Sequence, residues 1–348
     1  MSDRETGSRR EVVRRTLLRG AALGAAAPLL STTGAGATGP GRASATGAVS
    51  AAQAGAAALR WLGTSGWRIG IGARTVLFDP YITRFGTGLF GPKGSFDAKT
   101  KLTTDHALVD RHAGRPEVIL VSHTHWDHIN DVPHIAKSTG ARVIGTETTY
   151  HTLRALGVDA AQISVVKGGE VLAFDGYSVE VVSSRHSRNA SYSYFAPGTL
   201  NAPPHRAPRT ISDLPEGDTL AFQMTVDGGP SLFLMGASDI DERSAQGLRP
   251  DVLMAATPAS TSTYRYLPRL LDALGHPATV VPVHWDNFEK PLASPPQRDP
   301  SIDLDAFVAE VRRLSPGSRV VVPDYVTDFG GDMRALPPTG RSAPRQAF

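Results

Sequence analysis

The strongest constraint on this chain of 348 residues is a run of six residues in which four carry metal-binding side chains. The run is His123-Thr124-His125-Trp126-Asp127-His128, and it directly follows the continuous apolar stretch 117–122, EVILVS. Such a stretch is typical of a strand that is buried on both faces. Alternate side chains of an extended segment point the same way, so His123 and His125 can reach one metal, while a turn directs Asp127 and His128 towards a second. The run predicts a two-metal site at the end of a buried strand.

The absence of cysteine limits which donors such a site can use. The chain has no cysteine, which excludes both a disulfide framework and a thiolate metal site. Any metal must therefore be held by histidine and carboxylate groups. These nitrogen and oxygen donors suit zinc and also allow manganese or iron.

The order of apolar runs predicts the fold class. Three short runs between residues 59 and 80 are separated by glycine and predict three successive strands. Strand-like and helix-like segments then alternate as far as residue 323, with a hairpin at 227–230. Strands followed by helices in both halves predict an α/β protein in which two packed sheets carry helices on their outer faces, an αββα four-layer sandwich.

The N-terminus is predicted to be an export signal and not part of the folded domain. Arg14-Arg15 precedes Thr16-Leu17-Leu18 and a weakly apolar Ala/Gly-rich stretch, a pattern similar to the twin-arginine export signal. We therefore expect residues 1–55 to be a signal peptide with a disordered linker, 56–335 to be the domain that carries the predicted metal site and 336–348 to be a flexible C-terminal tail. The apolar stretch is too short to anchor the chain in a membrane. Because of the export signal, the protein is expected outside the cytoplasm or in the cell envelope.

The charge distribution argues against nucleic acid as a partner. Residues 1–45 contain seven arginines and three acidic residues, and the rest of the chain has 29 basic and 30 acidic residues. The basic character thus belongs to the N-terminus, and a nearly neutral domain is not what a nuclease needs. A small-molecule or lipid-like substrate is expected instead.

The hexapeptide HxHxDH resembles the signature of the metallo-β-lactamase superfamily, and the remaining motifs of that family follow in its order. Asp79, which closes VLFDP, resembles the early aspartate that orients ligands. His186 follows an apolar run and resembles the third histidine of the first metal site. Asp239, after SLFLMG, resembles the carboxylate that bridges the metals, and His284, after TVVPV, resembles the last histidine.

The resemblance implies a role for each of these residues. His123, His125 and His186 would hold one divalent metal ion, Asp127, His128 and His284 would hold the other, and Asp239 would lie between the two. Asp127 and His128 would be the catalytic pair beside a hydroxide shared by two ions, expected to be zinc. In the family the bridging aspartate often follows glycine directly, whereas here Ala237-Ser238 separate Gly236 from Asp239. Asp241 therefore remains an alternative to Asp239, as His205 does to His186.

The motifs WLGTSGWRI, RTVLFDP and VPVHWDNF look most similar to the branch that contains ascorbate-phosphate lactonase and N-acyl-phosphatidylethanolamine phospholipase D. The implied function is a secreted metal-dependent hydrolase that cleaves an ester, lactone or phosphodiester. The alternatives are a non-catalytic metal-binding module of the same fold, or a β-lactamase or nuclease of the superfamily. Loops 81–96 and 187–209 are expected to form the pocket, the first with apolar side chains and the second with arginines and tyrosines.

Overall fold

A computed structural model describes residues 56–337 of the chain. The predicted signal segment 1–55 and most of the predicted C-terminal tail, 338–348, lie outside these residues. Within the described range, no helix combines the length and the apolar character that crossing a membrane requires.

Fourteen strands form two seven-stranded sheets in the described part of the chain. The first sheet contains, in spatial order, β14 (Asp328–Gly330), β1 (Ala58–Gly63), β2 (Gly66–Ile71), β3 (Arg74–Phe78), β4 (Val118–Leu120), β5 (Arg142–Gly145) and β6 (Ile163–Val165). The second contains β13 (Arg319–Val320), β12 (Thr279–Val283), β11 (Val252–Ala256), β10 (Ser231–Met235), β9 (Leu220–Val226), β8 (Tyr177–Ser183) and β7 (Val171–Phe174). In each sheet one half is a parallel set, β3 to β6 and β10 to β13, and the other half is antiparallel.

Helices occupy the connections between the strands. They are α1 (His106–Ala113), α2 (Trp126–Ile129), α3 (Val132–Thr139), α4 (Glu147–Ala155), α5 (Glu242–Ala245), α6 (Tyr266–Leu274) and α7 (Leu304–Leu314), with 3₁₀ turns at Ala160–Gln162 and Ile211–Asp213. The predicted αββα sandwich is confirmed. The edge strands β7 and β14 were not predicted from the sequence.

The alternation of side chains along the strands explains why both faces of the first sheet are covered. Val76 and Phe78 of β3 join the core shared with the second sheet, where the ring of Phe78 lies 6.1 Å from that of Phe222 on β9. Leu77, between them, points the other way into a second core that includes α1 and α3. A strand segment buried on both faces must be apolar, which is why residues 76–78 of β3 and the whole of β4 are apolar.

The strands that lead to the predicted ligands end at a common edge of the sandwich. Asp79 follows β3, and His123 comes three residues after the end of the parallel strand β4. His284 follows β12, and His186 comes three residues after β8. Main-chain hydrogen bonds join the two sheets here, from Leu220 N to Ser122 O at 2.8 Å and from His284 N to Thr64 O at 2.8 Å. The fold therefore brings together side chains that are distant in the sequence, up to the 205 residues that separate Asp79 from His284.

Candidate metal centre

Six of the seven predicted ligands lie together in two groups of three. Within each group the potential ligand atoms all lie within 4.8 Å of one another. The groups are His123, His125 and His186, and Asp127, His128 and His284. All but His186 are buried, and His186 is half-buried.

The first group consists of three imidazoles. The ring of His123 lies 4.8 Å from that of His125 and 4.9 Å from that of His186, and the rings of His125 and His186 are 4.8 Å apart. His186 Nδ1 lies 2.8 Å from Ser187 O, to which it must donate, so its Nε2 carries a free lone pair. The Nε2 atoms of His123 and His125 are buried and have no hydrogen-bond partner.

The second group contains a carboxylate between two imidazoles. Asp127 Oδ2 lies 3.1 Å from His284 Nε2 and 3.5 Å from His128 Nε2. Asp127 and His128 belong to the single turn α2, which begins directly after His125. His284 has a left-handed backbone, with φ 62°. Such a conformation in a residue other than glycine is strained, and it commonly occurs at functional sites.

Asp79 orients one histidine of each group. Its Oδ2 accepts a hydrogen bond from His128 Nδ1 at 2.8 Å and another from the Ser122 hydroxyl at 2.6 Å, while Oδ1 accepts from Ser122 N at 2.7 Å. Because the Ser122 hydroxyl gives its proton to Asp79, it accepts from His123 Nδ1 at 2.9 Å. Both histidines therefore carry the proton on Nδ1 and present Nε2 to the site.

Gly236 makes room for this arrangement. A Cβ atom at Gly236 would lie 1.9 Å from Ser122 Oγ and 2.7 Å from Asp79 Oδ2. Any side chain here would displace the two groups that orient His123 and His128. Glycine is thus required at this position because the Ser122 and Asp79 side chains approach its Cα closely, and not because of its backbone angles.

The protonation of the first group favours metal binding. Burial, with the neighbouring imidazoles adding to it, holds the pKa of His123 well below its usual range. Burial likewise lowers the pKa of His125 to about 4 and that of His186 to about 3. All three rings are therefore neutral at physiological pH, which is the form that binds a metal ion.

The second group contains an ionised carboxylate. Burial alone would raise the pKa of Asp127, but the charge of His128 and the hydrogen bond and charge of His284 lower it. Burial would lower the pKa of His128, but the carboxylates of Asp127 and Asp79 outweigh it and raise that pKa. Asp127 is consequently a carboxylate throughout the physiological range and supplies an anionic donor for a cation.

These residues fit two divalent metal ions. Two buried ring nitrogens without partners, His123 Nε2 and His125 Nε2, belong to the first group of ligands. Unpaired polar atoms in a protein interior are costly, so a group that binds them is expected. The donor set of five imidazoles and one carboxylate is typical of zinc and compatible with manganese or iron.

The structure does not bring Asp239 into either group. Its Oδ1 accepts hydrogen bonds from Arg269 of α6 at 3.0 Å and from Ile240 N at 2.8 Å. The carboxylate lines a separate cavity of about 690 Å³ on the far side of His186. Asp241, the alternative to Asp239, is in neither group and accepts from the Ser244 hydroxyl at 2.9 Å. His205, the alternative to His186, is exposed, and His186 lies in the first group.

Ala237, rather than a carboxylate, follows Gly236 at the metal centre. Gly236 and Ala237 both line a cavity of about 560 Å³ that opens over all six ligands. The methyl group of Ala237 offers no donor, so the described residues provide two sets of three ligands without a carboxylate between them. Because two residues separate Gly236 from Asp239, the Asp239 carboxylate lies outside the metal centre, where it pairs with Arg269.

Aromatic side chains form the walls of this cavity. Loop 81–96 contributes Leu89, Phe90 and Phe96, as predicted, whereas Tyr81 and Phe85 pack in the core beneath it. The other walls come from Trp126, Phe195 and Phe288.

The expectation that arginines and tyrosines of loop 187–209 line this cavity is wrong. Arg188, Tyr192 and Tyr194 line the separate cavity beyond His186, and Arg206 and Arg209 line a third one. The ring of Tyr194 stacks on the far face of His186 at 4.7 Å, so the loop supports this ligand from behind.

Two buried carboxylates that position the site were missed by the sequence analysis. Asp131 Oδ2 accepts from Ile82 N and Thr83 N, each at 2.7 Å, and so fixes the start of loop 81–96. Asp286 lies two residues after His284, accepts from Thr64 N at 2.9 Å and pairs with the buried Arg84 at 3.1 Å. Both aspartates lie close to predicted ligands in the sequence, within HWDHIND and VHWDN, and this closeness could have identified them as part of the site.

Relatives of this chain are found among proteins named metal-dependent hydrolases. A UPF0173 metal-dependent hydrolase of Anaeromyxobacter dehalogenans is 29% identical over 213 residues, which cover 59% of this chain and 70% of the relative. Another UPF0173 metal-dependent hydrolase, from Myxococcus xanthus, is 26% identical over 325 residues, which cover 89% of this chain and 96% of the relative.

Among solved structures, the isothiocyanate hydrolase from Delia radicum gut bacteria has a similar fold. Its TM-score is 0.50 at 15% identity, and the match covers 80% of this chain and 100% of that one. The family described as the beta-lactamase superfamily domain matches residues 58–284, from the first strand to the last histidine ligand. The chain therefore belongs to the beta-lactamase superfamily.

Proposed function

We propose that this protein is a metal-dependent hydrolase that cleaves an ester, lactone or phosphodiester bond in a small-molecule or lipid-like substrate. The observation that carries the proposal is the convergence of six metal-ligand side chains at the floor of a cavity large enough for such a substrate. The relatives that carry the name metal-dependent hydrolase support the same class of reaction.

Each part of the centre has a role in such a reaction. Two divalent ions, proposed to be zinc, would supply Lewis acidity and lower the pKa of water so that hydroxide is available near neutral pH. Asp79 holds His123 and His128 in the tautomer that can bind a cation. Asp127 contributes an anionic donor to the centre, and the aromatic walls give the cavity above it an apolar surface.

A substrate panel on the metal-loaded protein tests this function. The full chain, loaded with zinc or manganese, is assayed with aryl esters, lactones and bis(p-nitrophenyl) phosphate. We expect turnover of at least one class, abolished by a chelator and reduced by at least about 100-fold in His125→Ala and Asp127→Ala. The exposed His205→Ala serves as the matched histidine control and should retain activity.

Two results would contradict the proposal. One is bound metal with no turnover of any substrate class, which would instead support the non-catalytic metal-binding module. The other is full activity in His125→Ala, since the ligand nitrogen that the proposal requires would then be dispensable.

We further propose that the chain is exported through the twin-arginine route. The support is the sequence around Arg14-Arg15 and the arginine-rich N-terminus. Expressed in a host with that pathway, the full chain should leave the cytoplasm, and replacement of both arginines by lysine should retain it there. An identical distribution of the two proteins would contradict export by this route.

A further inference from the structure

The cavity over the metal centre combines apolar walls with a single additional charge. Among residues 56–337, its lining includes no lysine or arginine, although it includes Leu89 and the five aromatic residues Phe90, Phe96, Trp126, Phe195 and Phe288. Outside the two ligand groups, this described lining contains one ionisable residue, Asp299. The part of a substrate that lies beyond the scissile bond therefore meets aromatic faces and one negative charge.

Asp299 is held rigidly beside the metal centre. Asp299 N donates to Trp285 O at 2.9 Å, and Asn287 N donates to Gln297 O at 2.7 Å. A short antiparallel ladder thus fixes this segment against the residues that directly follow the ligand His284. A charge placed on such a paired segment can discriminate between substrates, because it cannot swing away from the cavity.

The carboxylate of Asp299 has capacity for a further donor. Oδ1 accepts from Ser301 N and from the Ser301 hydroxyl, each at 2.7 Å. Asp299 forms no ion pair with any described residue, in contrast to Asp239, which Arg269 neutralises. The side chain is half-buried, so its charge is only partly screened by water.

We propose that Asp299 selects substrates whose arm remote from the scissile bond is apolar and ends in a cationic amine. This inference rests on the proposed hydrolase function. Aromatic faces attract cations as well as apolar groups, and a nearby carboxylate strengthens that attraction. The same carboxylate repels an anionic end. A charge a few ångströms from a half-buried carboxylate is expected to change binding by about tenfold in each direction.

Three aryl esters of equal length test the selection by activity. Their remote ends carry a trimethylammonium group, the uncharged tert-butyl isostere or a carboxylate. We expect the kcat/KM of the full chain to fall in that order. Asp299→Asn should remove about tenfold of the preference for the cationic over the neutral ester, and Asp299→Lys should favour the anionic ester. Asp272→Asn, an exposed aspartate on α6, is the matched control and should preserve the order.

A binding experiment separates this inference from the proposed function. Titration calorimetry compares phenylpropyl-trimethylammonium with its uncharged tert-butyl isostere on the metal-loaded protein. The cation should bind about tenfold more tightly, and Asp299→Asn should abolish the difference. If the difference is present but no ester, lactone or phosphodiester of the substrate panel is cleaved, the proposed function fails and the role of Asp299 in binding stands. Equal binding of the two probes, or an unchanged preference in Asp299→Asn, would overturn the inference.

Discussion

At the scale of single residues, Asp79 controls the metal centre without facing the cavity. Its two oxygens fix His128 directly and His123 through Ser122. It lies at the end of β3 with φ 40°, a left-handed conformation that is unusual for aspartate. A hydrogen bond from Asp79 N to Leu120 O at 3.0 Å fixes its main chain, so the pairing of β3 with β4 positions the carboxylate.

Replacing this carboxylate tests its orienting role. In Asp79→Asn one carbonyl oxygen remains for Ser122 N, but the amide nitrogen cannot accept from His128 Nδ1. We expect the affinity for zinc to fall by about 10–100-fold while the circular dichroism spectrum is retained. A competition titration against a chelating dye measures it, with Asp241→Asn as the control. Wild-type affinity in Asp79→Asn would contradict the role.

The position of Asp239 gives a second prediction at this scale. Because its carboxylate is paired with Arg269, Asp239→Asn should leave the metal content unchanged. It should lower the free energy of unfolding by about 1 kcal/mol, measured by urea denaturation, because a half-buried ion pair is lost. Asp127→Asn is the counterpart that should lose metal. A decrease of one metal equivalent in Asp239→Asn would instead identify this residue as a ligand.

At the scale of elements, loop 81–96 forms one wall because carboxylates from other segments hold it. Asp131 fixes its start, and Glu289 Oε1 accepts from Thr87 N at 2.7 Å and from Leu89 N at 3.1 Å. The loop has no helix or strand of its own, so these bonds replace a regular hydrogen-bonding pattern. The wall is therefore ordered by tertiary contacts and not by local propensity.

Removing Glu289 should loosen this wall. In Glu289→Ala the amides of Thr87 and Leu89 lose a charged acceptor, so their hydrogen exchange should accelerate by more than about tenfold. Mass spectrometry of the peptide that covers the loop measures the change. Glu310→Ala, on the exposed face of α7, is the control and should leave the loop protected. Unchanged exchange in Glu289→Ala would show that packing alone orders the loop.

At the scale of the whole molecule, the sequence was sufficient for the fold class because the buried strands carry their own signal. Strand β4 is wholly apolar, residues 76–78 of β3 and 280–283 of β12 are apolar, and the ligand run begins three residues after β4. The edge strands lack that signal. β7 alternates exposed and half-buried residues, and β14 has only three residues, which pair with β1 more than 260 residues away.

The parts of the site that the sequence did not predict also depend on contacts between residues that are distant in the sequence. The direction of side chains in loop 187–209 has no periodicity, so nothing local indicated that Arg188 and Tyr194 lie behind His186. The partner of Asp239 is Arg269, on a helix 30 residues further along. Asp299 approaches the metal centre through pairing with Trp285, which the sequence gives no means of predicting.

The central claim, that two sets of three ligands each hold a divalent ion, is tested most directly by metal stoichiometry. The full chain is loaded with zinc, dialysed against metal-free buffer and measured by elemental analysis against protein concentration. We predict about two equivalents for the wild type and about one for His125→Ala, because each set loses its ion separately. Less than one equivalent in the folded wild-type protein would contradict the account.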